Sequence, residues 1–180
     1  ILVCLVGSEM CIRDSPASPT PIIAGNVSFY NESKSNSIPP SPIISCLGKM
    51  DNVDRAITMS FKKINSKIFM VGKRKDELGG SLYYNLFGEL GANVPNPDLN
   101  EVKNQIYAIT DCIDNKLIES CHDISDGGIA VALSEMTFEN NIGCSVTIPG
   151  TLPIEKLIFS ETGGFIIEVE DSKTVNVNEI

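Results

Sequence analysis

The sequence predicts an α+β fold in which helices pack on a mixed β-sheet. Short apolar runs with the length and β-branching of strands occur at residues 66–73, "SKIFMVGK", and 163–170, "GGFIIEVE". Between these runs lie segments with apolar residues at helical spacing, each with one apolar face rather than an apolar surface all round. Strands intermixed with amphipathic helices are typical of a layer of helices on a sheet.

Three segments have the pattern of helices. In the first, the apolar positions are Leu82, Tyr83, Leu86, Phe87 and Leu90, and Gly91 and Pro95 end it. In the second they are Val102, Ile106, Ile109 and Ile113, and Asn100 is the predicted N-cap. The third is the strong helix former "IAVALSEM", residues 129–136.

Two weaker segments are predicted as strands. Residues 43–50, "IISCLGKM", follow a proline-rich loop that excludes a helix. Residues 144–150, "CSVTIPG", alternate apolar and polar side chains around Val146 and Ile148.

The charge balance limits the ligands that we expect. The 180 residues carry a net charge of −9, with 42% apolar and 21% charged residues. Binding a nucleic-acid backbone requires an excess of Lys and Arg to neutralise phosphates, so we expect no nucleic-acid partner. An acidic protein can still bind a phosphorylated small molecule through backbone N–H groups and Mg²⁺. The composition is therefore compatible with a nucleotide ligand.

The cysteines and the single histidine argue against a zinc site. The six cysteines form no C-x-x-C pair, and His122 is the one histidine. Structural zinc normally takes four closely spaced thiolates or imidazoles. We therefore expect reduced thiols packed as small apolar residues in a cytoplasmic protein. No apolar run approaches the ~20 residues that span a bilayer, so we expect no membrane segment.

The start of the chain differs in character from the rest. Residues 8–21, "SEMCIRDSPASPTP", have neither helical nor strand period, and residues 4–15, "CLVGSEMCIRDS", look like translated sequencing-adapter read-through. We expect residues 1–23 to be a non-native or disordered leader. Residues 24–45 include a proline-rich loop and precede residues 46–180, which contain most of the predicted strands and helices.

Three glycine-containing turns carry the candidate chemistry: "AGNVS" at residues 24–28, "DELGGS" at 76–81 and "HDISDGG" at 122–128. The last two lead into predicted helices. A helix start presents unpaired N–H groups, and glycine lets an anion approach the backbone closely. Glycine there equally permits a tight turn or close packing on a sheet, and both interpretations stay open.

The first turn offers a set of polar atoms suited to a nucleotide. Gly25 can bring the backbone near a phosphate, and Asn26 carries a neutral oxygen of the kind that Mg²⁺ accepts. Ser28 places a hydroxyl on the same side as Asn26 if the segment is extended. The alternative is an Asx-type turn closed by local side-chain hydrogen bonds.

Four motifs together resemble a known family. "GNVSFYNE", "DELGGS", "HDISDGGIAVALSEM" and "FSETGGFIIEV" occur in the order found in the carboxy-terminal part of the phosphoribosylformylglycinamidine synthases, within the AIR synthase-related superfamily. The resemblance covers about residues 24–169. It implies an AIR synthase-like carboxy-terminal α+β domain at residues 46–180, truncated, preceded at residues 24–45 by the tail of an ATP-site domain.

The resemblance also implies an activity, that of an ATP-dependent carbon–nitrogen ligase of purine biosynthesis. Family members use ATP to activate the amide oxygen of formylglycinamide ribonucleotide, and ammonia then displaces phosphate to give the amidine. The ammonia comes from glutamine through a glutaminase subunit or domain, and the resemblance leaves open whether a small third subunit joins them. ATP and Mg²⁺ are the expected cofactors.

Carried over by motif, Gly25 is expected to bind ATP, Asn26 to bind Mg²⁺ and Ser28 to bind the ribonucleotide. No catalytic residue is expected in this chain, because the family's catalytic histidine lies in an amino-terminal half that the sequence lacks. The chain is therefore expected to be inactive alone, and His122 to be structural. Glu32 is expected only to orient or cap.

For the two later turns, at residues 76–81 and 122–128, we expect a mainly structural role. We expect their polar and glycine residues to serve mainly turns and helix starts, and to line a cleft as a secondary possibility: Asp76, Gly79, Gly80, Asp123, Asp126 and Gly127. One departure concerns Gly163-Gly164, where family members usually carry Gly-Arg. The departure predicts one cation fewer beside the last strand.

Two alternatives stay open. Other enzymes of the superfamily, such as selenophosphate synthetase or thiamine-monophosphate kinase, share a glycine-rich "SDG" turn but lack the "GNVSFYNE" segment. The second alternative is a non-catalytic regulatory or interaction module of the same superfamily. Such a module would bind a partner without nucleotide and would be insensitive to Asn26→Ala.

Overall fold

The computed structural model describes residues 24–25, 32–37, 45 and 47–174. The chain divides into two compact units, residues 1–49 and 50–180. In the first unit, Glu32 and Ser37 form an antiparallel bridge. The turn between them is closed by the backbone N–H of Asn36, which donates to the Ser33 hydroxyl at 3.0 Å. The predicted domain limits at residues 24, 45 and 46 stay a prediction.

The second unit is built on a three-stranded sheet. The strands are β1 (Lys67–Val71), β2 (Ser120–Asp123) and β3 (Phe165–Val169), in the order β1-β3-β2. Both pairings are antiparallel. Ile166 of the central strand lies opposite Met70 on one side and His122 on the other. The predicted strands at residues 66–73 and 163–170 are thus confirmed, as is the α+β class.

Helices connect and cover these strands. They are α1 (Leu82–Asn85), α2 (Leu99–Asp114), α3 (Gly128–Met136) and α4 (Ile154–Phe159), and two 3₁₀ turns lie at Val53–Arg55 and Asp171–Lys173. None of the helices in the described part of the chain is long and apolar enough to cross a membrane.

The central strand β3 places its side chains alternately in two cores, because successive strand residues face opposite sides of the sheet. Ile166 packs with Ile129 and Met136 of α3. Ile167 and Val169 pack on the other side, where they join the α2 residues Ile109 and Cys112. The sheet is therefore covered by a helix on each face.

The predicted strand at residues 144–150 is wrong, since this segment is irregular. Of its two apolar residues, Ile148 packs against the core on the α3 side, whereas Val146 is exposed. Residues 47–50 are likewise outside any strand, and residues 43, 44 and 46 of that predicted strand lie outside the described residues.

The predicted N-cap of the second helix is also wrong. Helix α2 begins at Leu99, and Asp98 is the cap. The Asp98 carboxylate accepts hydrogen bonds from the backbone N–H groups of Asn100 and Glu101, at 2.8 and 3.2 Å. A carboxylate in this position satisfies two N–H groups that the helix leaves unpaired and interacts favourably with the helix dipole, which explains why the start lies two residues earlier.

A buried carboxylate in the central strand is hydrogen-bonded to residues 62–66 and to β2. Glu168 of β3 is fully buried, and its oxygens accept four hydrogen bonds of 2.8–2.9 Å. The donors are two backbone N–H groups and two hydroxyls: those of Lys62, Lys63, Ser66 and Ser120. A buried charge is tolerated only when it is fully hydrogen-bonded, so this set explains how an acidic residue occupies the central strand.

Candidate functional site

The two glycine-rich turns of the second unit each lead into a helix, as predicted. Ser81 ends the "DELGGS" turn and caps α1, accepting a hydrogen bond from the N–H of Tyr84 at 3.3 Å. Gly127 ends the "HDISDGG" turn and precedes α3 with a left-handed backbone, at φ +76°. Glycine adopts this conformation without the steric cost that other residues carry.

Both turns also approach neighbouring backbone closely. A Cβ on Gly79 would lie 2.7 Å from the carbonyl carbon of Asn93, and a Cβ on Gly128 would lie 2.6 Å from the carbonyl oxygen of Ile158. Contacts this short exclude any side chain at either position. These two glycines therefore serve packing of the chain against itself, which agrees with the turn and helix-start role expected from the sequence.

A third segment, residues 160–164 of "FSETGG", holds the two turns together. On the side of the first turn, the Thr162 hydroxyl donates to the carboxylate of Glu77 at 2.8 Å. On the side of the second turn, the carbonyl of Gly164 accepts from the N–H of Ile124 at 2.8 Å. Three motifs that are distant in the sequence thus meet at one place, next to the start of β3.

Glu161 is the centre of this meeting point. One oxygen of its carboxylate accepts hydrogen bonds from the N–H groups of Leu82, at 2.8 Å, and Gly127, at 2.9 Å. These donors stand at the starts of α1 and α3, where backbone N–H groups lack partners within the helix. A negative charge is favourable there. The chain's own carboxylate therefore occupies the N–H groups that an external anion would otherwise bind.

A guanidinium lies beside the Gly163-Gly164 pair. Arg74 donates one hydrogen bond to the carbonyl of Ser160 at 3.1 Å and another to that of Gly163 at 2.7 Å. Burial lowers the pKa of Arg74 to about 10, and the nearby Glu77 carboxylate raises it in opposition. The side chain stays cationic at neutral pH. Arg74, from the segment after β1, thus supplies a cation beside the last strand, and the expected departure from the family at Gly164 stays a prediction.

His122 connects β2 to α3. Its Nε2 lies 2.9 Å from the carboxylate of Glu135. Its Nδ1 lies 3.2 Å from the carboxylate of Asp123, although without hydrogen-bond geometry. The side chain is only 11% exposed. A nearly buried ring fixed between elements of the core agrees with the structural role expected from the sequence.

Of the three site residues predicted in the first turn, the structure describes one. Gly25 is exposed, and none of the described residues would lie within 4 Å of a Cβ built on it, its chain neighbours aside. Asn26 and Ser28 lie outside the described residues. The expected roles of Gly25, Asn26 and Ser28 towards ATP, Mg²⁺ and the ribonucleotide stay predictions.

Two further features could offer a place for a ligand: a cluster of metal-binding side chains and a surface groove. Within the described ranges, no three His, Cys, Asp or Glu side chains come close enough together to hold a metal ion. An open groove lies between the end of β1 and α2, lined by Gly72, Lys73, Glu101, Asn104 and Gln105. It is lined by residues outside the motifs and lacks a converging set of buried polar groups, so it offers no built site.

Sequence reasoning missed Glu161 and Arg74. Glu161 stands inside a quoted motif, yet nothing in the order of residues shows that its carboxylate reaches two helix starts. Arg74 precedes the "DELGGS" turn in a basic run, "GKRKDE", where a cation is normally expected to face solvent. In both cases the partners are more than thirty residues away in the sequence, and only the fold brings them together.

Residues 63–176 match the family described as AIR synthase related protein, C-terminal domain. Among the proteins similar to the chain is the phosphoribosylformylglycinamidine synthase subunit PurL of Methanothrix thermoacetophila, which is 44% identical over 166 residues. That match covers 91% of this chain and 22% of the relative. The subunit of the same name from Thermococcus sibiricus is 37% identical over 164 residues, covering 88% of this chain and 23% of the relative.

Solved structures of proteins from Thermotoga maritima have the same fold. The structure of PurLQS aligns with a TM-score of 0.58 and 18% identity, covering 71% of this chain and 21% of that chain. PurL complexed with FGAR aligns with a TM-score of 0.58 and 19% identity, covering 71% and 23%. The chain spans about a fifth of the length of the curated relatives that it matches.

The family match covers most of the second unit, including the sheet, the two glycine-rich turns and Glu161. The chain belongs to the family of AIR synthase related proteins, whose C-terminal domain it contains at residues 63–176.

Proposed function

We propose that the chain is part of the ATP-dependent synthetase that makes formylglycinamidine ribonucleotide in de novo purine biosynthesis. The observation that carries this proposal is the 44% identity over 91% of the chain to a subunit named for that reaction. Since the chain spans about a fifth of such relatives, the reaction belongs to a longer polypeptide. The 180 residues by themselves are then inactive.

The proposed reaction has two steps. The γ-phosphoryl group of ATP is transferred to the amide oxygen of formylglycinamide ribonucleotide, which gives ADP and a phosphorylated imidate. Ammonia then attacks the imidate carbon and the C–O bond breaks, so that inorganic phosphate leaves and the amidine remains. Exclusion of water from the imidate is essential, because water would return it to the amide.

Gly25, Asn26 and Ser28 are the proposed contacts of this chain with the reactants. The exposure of Gly25 supports the approach of a triphosphate to the backbone at that point. The amide oxygen of Asn26 is a suitable Mg²⁺ ligand, and the Ser28 hydroxyl can bind the ribonucleotide. Mg²⁺ would neutralise phosphate oxygens as charge moves during transfer.

The proposed Mg²⁺ ligand Asn26 lies outside the described residues. No group of three metal-binding side chains forms among residues 24–25, 32–37, 45 and 47–174. Mg²⁺ normally takes six oxygen ligands, several of them from water and substrate phosphates. Asn26 would therefore contribute one ligand, with carboxylates from elsewhere in the longer polypeptide completing the site.

The partners follow from the chemistry proposed. Ammonia derived from glutamine requires a glutaminase, supplied as a separate subunit or as a fused domain. The cytoplasmic location expected from the reduced cysteines is part of the same proposal. Among the described cysteines, Cys112, Cys121 and Cys144 carry free thiols, which supports a reducing compartment.

A chimera tests this function in vivo. In it, the matching residues of this chain replace the 166-residue segment of the Methanothrix thermoacetophila relative. The chimera is expected to restore purine-independent growth to a bacterial strain that lacks its own synthetase. Asn26→Ala in the chimera is expected to abolish growth, whereas Gly143→Ala, at an open surface position, is expected to leave it unchanged.

Failure to restore growth would favour the alternative in which the chain is a non-catalytic interaction module. A chimera that accumulates as folded protein and fails to restore growth would contradict the proposed function. If the Asn26→Ala chimera still restores growth, the proposed function stands, but Asn26 is not a required Mg²⁺ ligand.

A further inference from the structure

Residues 79–94 form a closed loop that is anchored firmly at its base. The N–H of Gly79 donates to the carbonyl of Asn93, and the N–H of Gly80 donates to that of Leu90, both at 2.7 Å. Glu161 holds the start of α1 within this loop. The ring of Tyr83 stacks on Phe159 of α4, with ring centroids 4.6 Å apart. The loop therefore has a fixed base on the rest of the domain.

The far side of the same loop is apolar and exposed. Leu86 is 81% exposed, Phe87 66% and Leu90 77%. Helix α1 ends at Asn85, so these side chains, which the sequence predicts on the buried face of a longer helix, face solvent instead. Glu89 is the one charged residue in residues 79–94. An exposed apolar surface with an aromatic ring and little charge has the composition of an interface core.

The length of the relatives indicates what covers this surface. About four fifths of each curated relative lies outside the part that matches this chain. A second copy of the chain is a poorer occupant, because each copy carries a net charge of −9 and two copies repel. Another part of the same long polypeptide reaches the loop at high effective concentration and needs no separate association step.

We propose that Leu86, Phe87 and Leu90 form a docking surface for another domain of the longer synthetase polypeptide. This inference rests on the proposed function, since it takes the chain as one part of such a polypeptide. The docked domain is expected to present a complementary apolar surface. It would hold α1 and the glycine-rich turn before it in place from the outside, as Glu161 does from within.

Carbene footprinting compares the loop in two contexts, the 180-residue chain and the chimera described above. In the chain alone, Leu86, Phe87 and Leu90 are expected to be labelled as strongly as Phe138, which is 69% exposed. In the chimera, their labelling is expected to fall towards that of Leu78, which is 2% exposed. Equal labelling of the three residues in both contexts would overturn the proposal.

A matched pair of variants tests the same surface by another readout. Phe87→Asp and Phe138→Asp each place a charge at a similarly exposed phenylalanine. In the chain alone, neither is expected to change the melting temperature. In the chimera, Phe87→Asp is expected to lower the melting temperature and to restore labelling of Leu86, whereas Phe138→Asp is not. Equal effects of the two variants would contradict the assignment to this loop.

The two proposals fail in different ways. If the loop is protected in the chimera but no amidine is made, the docking surface is supported and the proposed function is contradicted. If the chimera makes the amidine while the loop is fully labelled, the proposed function is supported and the docking surface is contradicted.

Discussion

The carboxylate of Glu161 accepts a hydrogen bond from the backbone N–H of Gly127, with 2.9 Å between Oε1 and the nitrogen. The same oxygen accepts a second hydrogen bond from the N–H of Leu82 at 2.8 Å. Two helix starts from distant parts of the chain thus share one acceptor. The position of α1 relative to α3 depends on this carboxylate, because each N–H would otherwise lack a partner within its helix.

Glu161→Gln is expected to loosen both helix starts together. The substitution removes the charge that strengthens the two hydrogen bonds, so the free energy of unfolding should fall by about 1–2 kcal/mol. Amide hydrogen exchange should become faster at Leu82 and Gly127 in parallel. The exposed Glu89→Gln variant serves as control and should change neither quantity. Faster exchange at only one of the two amides would contradict a shared acceptor.

Glu168→Gln is expected to be more damaging. Its amide group would point N–H donors at two of the four donors that the buried carboxylate now satisfies. We expect a loss of about 2–4 kcal/mol in the free energy of unfolding, measured by urea denaturation. Ser66→Ala removes one donor from the same set and should cost about 1 kcal/mol. Equal stability of the Glu168→Gln variant and the wild type would show that the buried charge is dispensable.

Gly128→Ala tests whether the second turn is fixed by close packing. The added methyl would lie 2.6 Å from the carbonyl oxygen of Ile158, on a residue with φ of +67°. A combined steric and backbone cost of about 2–4 kcal/mol is expected in thermal or urea unfolding. Gly143→Ala is the control, because its Cβ would meet nothing within 4 Å. A neutral Gly128→Ala variant would mean that α3 is free to shift away from α4.

Stability should fall in mildly alkaline solution because of Cys121. Burial raises the pKa of this thiol from its usual 9.0 to about 11. Below pH 9 the thiol is neutral in both the folded and unfolded states. Between about pH 9 and 11 the unfolded thiol loses its proton while the folded one retains it, so the free energy of unfolding falls as the pH rises. Urea midpoints at pH 8 and 10.5 should show a smaller decrease for Cys121→Ala than for the wild type.

The elements that were predicted correctly are those with a strong local signal. Strands β1 and β3 are short β-branched runs, and α3 is a run of strong helix formers. Strand β2 has the sequence Ser-Cys-His-Asp, which has little apolar character, so no local pattern marks it. It is a strand because β3 offers it a pairing edge. Helix α1 stops at Asn85 although the apolar spacing continues, because the chain turns back at Gly88 to close the loop.

In the candidate site, too, only the features with a local sequence signal were predicted. The order of the motifs predicted the family correctly. The turns at residues 76–81 and 122–128 lead into helices, as the sequence predicts. The contacts that join those turns come from Glu161, Thr162 and Arg74, and each spans more than thirty residues of sequence. Such contacts depend on the paths of intervening strands and helices, which no local pattern encodes.

The most direct test of the proposed synthetase is a turnover measurement on the chimera with purified components. Formylglycinamide ribonucleotide, Mg·ATP and ammonia are supplied, and the formation of formylglycinamidine ribonucleotide and ADP is followed. We predict equal amounts of the two products, with turnover abolished by Asn26→Ala, and no product from the 180-residue chain alone. A folded chimera that hydrolyses no ATP and forms no amidine, while the unmodified relative does both, would contradict the proposed function.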